Sequence, residues 1–137
     1  MNSINYWPIL VSSVVSFGLG ALWYSPILFG REWVELLKIS DADMARMIDQ
    51  GMWKRYVTQF ILTLITFIVM AFAIDEMGLR TATDGAFVGL LAWLGFIIPV
   101  TFSGMLWKNE SIKLVLIDAI NYLVVLAIGG AIIGAWR

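Results

Sequence analysis

Four long runs of apolar residues, separated by shorter polar stretches, dominate the chain. They extend from about 6 to 29, 56 to 74, 85 to 106 and 111 to 136. Each has roughly the 20 mainly apolar residues that a helix needs to cross a bilayer core of about 30 Å. Because lipid offers no hydrogen bonds, the backbone must pair within each run, and the runs are too continuous for barrel strands. The pattern therefore predicts an all-α, integral membrane four-helix transmembrane bundle, a single domain over residues 1–137.

The composition favours lipid rather than water as the surrounding medium. Hydrophobic residues make up 61% of the chain and charged residues 14%, against about 45–50% and about 25% in soluble domains. A domain of this size exposes much of its surface, so water could not accommodate the excess of apolar side chains. The first run lacks a basic leader region and a following cleavage site, so we interpret it as a retained helix rather than a signal peptide.

The residue types that are missing narrow the functional classes. The chain has no cysteine and no histidine, which removes thiol chemistry, the commonest metal ligand and the commonest general base. The net charge is -1, which gives no broad basic face for nucleic acid. We therefore expect no enzymatic activity, no cofactor, no metal site and no nucleic-acid partner.

Lysine and arginine are distributed unevenly among the loops. Seven of them follow the first and third helices: Arg31, Lys38, Arg46, Lys54, Arg55, Lys108 and Lys113. The other side has only Arg80 and Arg137. Because cytoplasmic loops carry the excess of basic residues, the pattern predicts a multi-pass protein of the cell membrane with loops one and three in the cytoplasm and both termini outside.

The loop between the first two helices, about 31 to 52, is long for a helical bundle. Ser40 followed by Asp41 and Asp43 is typical of a helix start. Apolar residues at helical spacing on both sides of Ser40 predict an amphipathic cytoplasmic insert of one or two short helices at the membrane interface. A helix packed under the bundle is the alternative. The aromatic residues that we assign to the cytoplasmic interface are Trp33, Trp53, Tyr56 and Trp107.

Several aromatic, glycine and proline residues resemble the pattern of a known family. They are the run Leu22-Trp23-Tyr24-Ser25-Pro26 with Phe29, Gly30 and Trp33, then Gly89 and Trp93-Leu94-Gly95-Phe96, and finally Gly130-Ala131-Ile132-Ile133-Gly134-Ala135-Trp136. Over nearly its whole length the chain resembles the family labelled domain of unknown function 1761. The resemblance implies a small membrane protein and assigns no activity. In that family the middle of the fourth helix often carries an amide and a histidine, whereas this chain has Asp118, Asn121 and Tyr122 there.

Asp118 is the one carboxylate well inside a predicted spanning helix. It lies on the order of 10 Å deep, and an ionisable group at that depth is by default a functional-site hypothesis. The other polar residues that we place at this depth, in the cytoplasmic third of the bundle, are Asn121, Thr101, Ser103, Gln59, Tyr24 and Ser25. In one interpretation this layer is a small-molecule or ion site where Asp118 binds a cation or a proton. In the other, Asp118 is protonated or hydrogen-bonded to Thr101, Gln59 or Tyr24 and only fastens the helices.

Small residues four apart mark the predicted packing faces of the helices. They are Ser12, Ser16 and Gly20 on the first helix, Gly85 and Gly89 on the third, and Gly130 and Gly134 on the fourth. These faces serve either contacts within one bundle or contacts between copies in a homo-oligomer. Because a four-helix unit encloses little space, a pathway would form most easily between subunits.

The sequence leaves two functions open. The first is a small oligomeric transporter or channel for a small molecule or ion, in which Asp118, Asn121 and Thr101 are the residues that we expect to act. The second is a non-catalytic membrane partner or scaffold subunit that uses the glycine faces and loop one. Both functions place the chain in a lipid bilayer.

Overall fold

The computed structural model describes residues 4–136, and Arg137, which the charge distribution included, lies outside this part of the chain. Seven α-helices and one π-helical segment follow one another along it. Their bounds are α1 Tyr6–Trp23, α2 Gly30–Leu36, α3 Asp41–Asp49, α4 Met52–Glu76, α5 Ala82–Ala92, the π-helical segment Trp93–Ile97, α6 Ile98–Lys108 and α7 Ile112–Ala135. Helices α5 and α6 continue each other through the π-helical segment, so the chain forms four long helices and two short ones.

The four long helices are long and apolar enough to cross a membrane. They are α1 with 18 residues, α4 with 25, the continuous helix Ala82–Lys108 with 27 and α7 with 24. Large apolar side chains such as Val69, Leu94 and Val100 are exposed on their outer faces. Lipid tails would cover these side chains at no cost, so the fold agrees with the predicted all-α membrane protein.

Helix α7 lies at the centre of the bundle. It packs against α1, α4 and α5 along its length and against α2 and α6 near its beginning. The core that α7 shares with α4 includes Phe67, Ile74 and Ile133, which are almost completely buried. Residues of α7 therefore meet more neighbouring elements than residues of any other long helix, which makes its polar side chains the first candidates for a site.

Helices α5 and α7 approach each other until their backbones touch. A Cβ atom on Gly85 would overlap the carbonyl oxygen of Gly130, and one on Gly89 would overlap the carbonyl oxygen of Leu126. Gly134 likewise lies against the backbone of Thr81. Since only glycine permits this distance, these residues fix where the third and fourth long helices cross.

The π-helical segment precedes Pro99. Proline has no backbone N–H, so Pro99 cannot donate the hydrogen bond that Gly95 would accept in a regular helix. The chain accommodates this with one wider turn, in which the N–H of Ile98 donates to the carbonyl oxygen of Trp93. The hydroxyl of Thr101 donates to the carbonyl oxygen of Ile97 at 2.6 Å, which pairs a second carbonyl near the proline.

Two short helices occupy the loop between the first and second long helices. Helix α3 begins at Ser40, whose side chain accepts from the N–H of Asp43 while the Asp43 carboxylate accepts from the N–H of Ser40. It has no buried residue and lies beside α4. Helix α2 instead packs against α7. The first short helix is thus part of the bundle, whereas the second lies at its surface.

Candidate functional site

The chain reverses direction immediately after α1, which ends at Trp23 rather than near residue 29 as the sequence predicted. The Ser25 hydroxyl donates to the carbonyl oxygen of Leu22 at 2.7 Å and replaces the donor that Pro26 lacks. The N–H of Gly30 donates to the carbonyl oxygen of Ser25 at 2.9 Å. A Cβ on Gly30 would lie 2.7 Å from the Ser25 carbonyl carbon, so the turn can close only on glycine.

This turn directs two aromatic side chains to Asp118. The Tyr24 hydroxyl donates to Oδ1 of Asp118 at 2.6 Å. The indole N–H of Trp33, on α2, donates to the same oxygen at 3.1 Å. The two rings pack against each other, with centroids 5.0 Å apart. Asp118 is therefore held by the turn after α1 and by α2, and both donors reach a single carboxylate oxygen.

Three tryptophans fasten one turn of α7. Besides the bond from Trp33 to Asp118, the indole of Trp23 donates to the carbonyl oxygen of Ile117 at 3.1 Å, and that of Trp93 donates to the carbonyl oxygen of Ala119 at 2.7 Å. A buried indole needs an acceptor for its N–H. These bonds fix the position of Asp118 from three directions, because the three indoles come from the end of α1, from α2 and from the π-helical segment.

The residues that build this site are the ones that carry the family pattern. The family described as Protein of unknown function (DUF1761) matches residues 7–134. The chain belongs to this family. No curated protein and no solved structure matches it. The DUF1761 match covers all four long helices and the whole surroundings of Asp118, so the Trp-Tyr-Ser-Pro motif of this DUF1761 protein acquires a structural role: it forms the turn that presents Tyr24 and Trp33 to the carboxylate.

The electrostatic surroundings of Asp118 contain no balancing cation among residues 4–136, since no lysine or arginine there pairs with it. Its second oxygen, Oδ2, accepts no hydrogen bond within this part of the chain and is not fully buried. The carboxylate of Glu110, in the turn before α7, is close enough to act on Asp118 electrostatically. A carboxylate in these surroundings is suited to bind a proton or a small cation through Oδ2.

Two further polar residues of α7 lie near Asp118. Asn121 is buried, and its side chain is within hydrogen-bonding range of the Tyr24 hydroxyl. Tyr122, one turn beyond Asp118, is 42% exposed. Asp118, Asn121 and Tyr24 therefore form one connected polar group, three of the seven residues that the sequence placed in a common layer.

The remaining residues of that predicted layer are not bonded to Asp118 within residues 4–136. Thr101 donates to its own helix, and Ser103 is exposed on α6. Gln59 is exposed on α4, where its side-chain amide donates to the hydroxyl of Thr63 at 3.4 Å. Ser25 contributes indirectly, through the turn that carries Tyr24. A shared depth therefore did not bring these side chains to a shared position.

The predicted small-residue faces lie at two kinds of places. Gly85, Gly89, Gly130 and Gly134 form the contact between α5 and α7. Ser12 is buried and donates to the carbonyl oxygen of Gly129 at 3.2 Å. The buried hydroxyl of Ser16 has no hydrogen-bond partner in the part of the chain that the structure describes. Gly20, in contrast, has open space where a Cβ would lie.

The site does not offer the ligand set of a metal centre. Among residues 4–136, no three histidine, cysteine, aspartate or glutamate residues are grouped so that they could hold a metal ion. The groups that converge are one carboxylate, one phenol hydroxyl, one indole N–H and one amide. This arrangement can bind and release a proton or a monovalent cation.

Proposed function

We propose that the protein is a small membrane transporter that binds a proton or a monovalent cation at Asp118. One observation carries this proposal. Asp118 is held on Oδ1 by Tyr24 and Trp33, while Oδ2 is left without a partner among residues 4–136. An acidic side chain inside a spanning helix is rare and marks ion pathways in many membrane proteins. A single carboxylate carries one charge, which suits a cargo of one positive charge.

The alternative is that Asp118 only fastens α7 to the neighbouring elements. Three further hydrogen bonds already do this: those from Trp23, from Trp93 and from Ser12 to backbone carbonyls of α7. A purely structural acceptor at position 118 would not need a charge, because an amide oxygen could accept from the same two donors. The exposure of Oδ2 therefore favours a ligand over a fastening role.

A scaffold subunit is the second function that the sequence left open. The glycines that would supply its docking faces on α5 and α7 are already in contact with each other, so these faces are occupied within one chain. This observation favours the transporter. Gly18 and Gly20 of α1 remain next to open space, and we place the contact between copies of a homo-oligomer there, because a single bundle encloses little room for a pathway.

The distribution of basic residues supports an orientation for this transporter. We propose a protein of the cell membrane in which α2, α3 and the turn between α6 and α7 lie on the cytoplasmic side, with both termini outside. Arg31, Lys38, Lys54, Lys108 and Lys113 all belong to that side, as expected where the cytoplasmic face retains basic loops. Asp118 is then nearer the cytoplasm than the outer surface.

Flux into liposomes tests the proposal directly. The purified chain is reconstituted, and uptake of protons and of the alkali cations and ammonium is measured against a gradient dye. The Asp118→Asn variant retains an acceptor for Tyr24 and Trp33 but has no charge and cannot take up a proton. We expect it to fold and to lose flux to the level of empty liposomes.

The matched control for this experiment is Asp49→Asn, at the exposed end of α3. It makes the same chemical change away from the bundle and should leave flux intact. Equal flux in the wild-type protein and the Asp118→Asn variant would overturn the proposal. An Asp118→Asn variant that loses thermal stability while the wild-type protein shows no flux above empty liposomes would favour the fastening role instead.

A further inference from the structure

A cavity of about 400 Å³ lies between the end of α2 and the turn that joins α6 to α7. Four charged side chains border it: Glu35, Lys38, Lys108 and Glu110. Within residues 4–136, no ion pair joins these four side chains to one another. Unpaired charges around a cavity need water, so this space is hydrated rather than packed with apolar groups.

The cavity and the Asp118 site share their walls. Leu114 lines the cavity and lies four residues before Asp118, on the same face of α7. Helix α2 provides the opposite wall with Leu36 and Leu37, one turn beyond the Trp33 that binds Asp118. Moving inward along either helix by one turn therefore leads from the cavity to the carboxylate.

Glu110 connects the two places electrostatically. It lines the cavity, and its charge acts on Asp118. Its carboxylate lies over Gly104 of α6, where a Cβ would be 3.4 Å from Oε2. The small residue at position 104 thus leaves room for the carboxylate between α6 and the beginning of α7.

We propose that this cavity is the vestibule through which a cation or proton reaches Asp118, with Glu110 as the carboxylate at its inner end. The inference rests on the proposed transport function and adds a route and a positioning residue to it. The two lysines and Glu35 balance much of the charge in the vestibule, whereas Glu110 and Asp118 make its inner end acidic. Clefts with one sign of charge concentrate ions of the opposite sign, so cations are favoured where the vestibule meets the site.

Cysteine accessibility tests the vestibule separately from transport, because the chain contains no cysteine of its own. We compare Leu114→Cys, which would line the vestibule, with Val115→Cys, whose native side chain is 0% exposed and turned into the bundle. Both variants are treated in membranes with a water-soluble cationic thiosulfonate and with an anionic one. We expect Leu114→Cys to react, and to react about tenfold faster with the cationic reagent, the low end of the enrichment in charged clefts.

Reaction of Leu114→Cys at the rate of Val115→Cys would overturn the vestibule, as would a faster reaction with the anionic reagent. These outcomes do not depend on whether flux is observed.

The role of Glu110 has its own readout in the flux assay. Glu110→Gln should lower flux about tenfold at limiting cation concentration, because the local enrichment is lost, and saturating cation should restore most of it. Glu76→Gln, at the exposed far end of α4, is the control and should not change flux. Unchanged flux in Glu110→Gln would overturn its role, whereas wild-type flux in Asp118→Asn would overturn the proposed function itself.

Discussion

The close crossing of α5 and α7 predicts a large effect from adding a single methyl group. In Gly85→Ala the new Cβ would overlap the carbonyl oxygen of Gly130 and lie 3.1 Å from the Cα of Gly134. Both neighbours are backbone atoms of a helix, so no side chain can rotate away. The helices would have to separate, and the contacts at Gly89 and Gly134 would loosen with them.

The magnitude follows from two opposing contributions. Overpacking a tight core costs about 1–3 kcal/mol and occasionally more. Replacing glycine by alanine in a helix returns up to about 1 kcal/mol. Because this contact is backbone on backbone, the first contribution lies at the upper end, and we expect a net loss of about 2 kcal/mol in the free energy of unfolding.

Thermal unfolding in detergent, followed by circular dichroism, measures this loss. For a chain of this length about 2 kcal/mol corresponds to a fall in Tm of roughly 6–10 °C. Gly18→Ala is the matched control, since Gly18 is also helical but has nothing within 4 Å of its Cβ position. It should keep Tm or raise it slightly. If Gly85→Ala and Gly18→Ala had the same Tm, the backbone contact would not exist and the reasoning would be refuted.

Two further predictions concern the surroundings of Asp118. Trp33→Phe keeps an aromatic ring but removes the 3.1 Å hydrogen bond to Asp118; it should cost about 1.5–3 kcal/mol if the carboxylate is charged, measured by thermal unfolding, whereas Trp107→Phe, at an 80% exposed side chain, should leave Tm unchanged. Gly30→Ala would place a Cβ 2.7 Å from the Ser25 carbonyl carbon; it should open the turn, release Tyr24 from Asp118 and abolish flux in liposomes, and normal flux in this variant would contradict the role of the turn.

The large-scale architecture was predictable because it depends on the lengths of apolar runs. The four runs correspond to the four long helices, and the family resemblance is confirmed by the match over residues 7–134. The end of the first helix was less predictable from hydrophobicity, since the residues after Trp23 are still apolar. Pro26 carried the missing signal, because the residue before a proline is disfavoured in a helix, and α1 in fact ends at Trp23.

The candidate site was only partly predictable because depth along a helix does not determine which face a side chain occupies. Asp118, Asn121 and Tyr24 are brought together, whereas Thr101 is bonded to its own helix. The wider π-helical turn before Pro99 rotates α6 relative to a regular helix, and the sequence alone does not give that rotation.

Trp33 is the residue that sequence reasoning placed least well. Tryptophan in a loop between spanning helices is typical of a membrane interface, and this general preference concealed its bond to Asp118. The signal that could have found it is Gly30, which with Ser25 and Pro26 indicates a tight reversal of the chain. A helix that begins directly after such a reversal must fold back onto the bundle, and Trp33 lies one turn into it.

The three indoles around Asp118 make the site visible to light. Trp23, Trp33 and Trp93 each donate to one of three consecutive residues of α7, and indole emission shifts with the polarity and hydrogen bonding of its surroundings. Occupancy of the carboxylate would therefore change the intrinsic fluorescence of the unlabelled protein. The chain carries its own optical sensor, and a titration followed by emission spectra can screen cargoes without a transport assay.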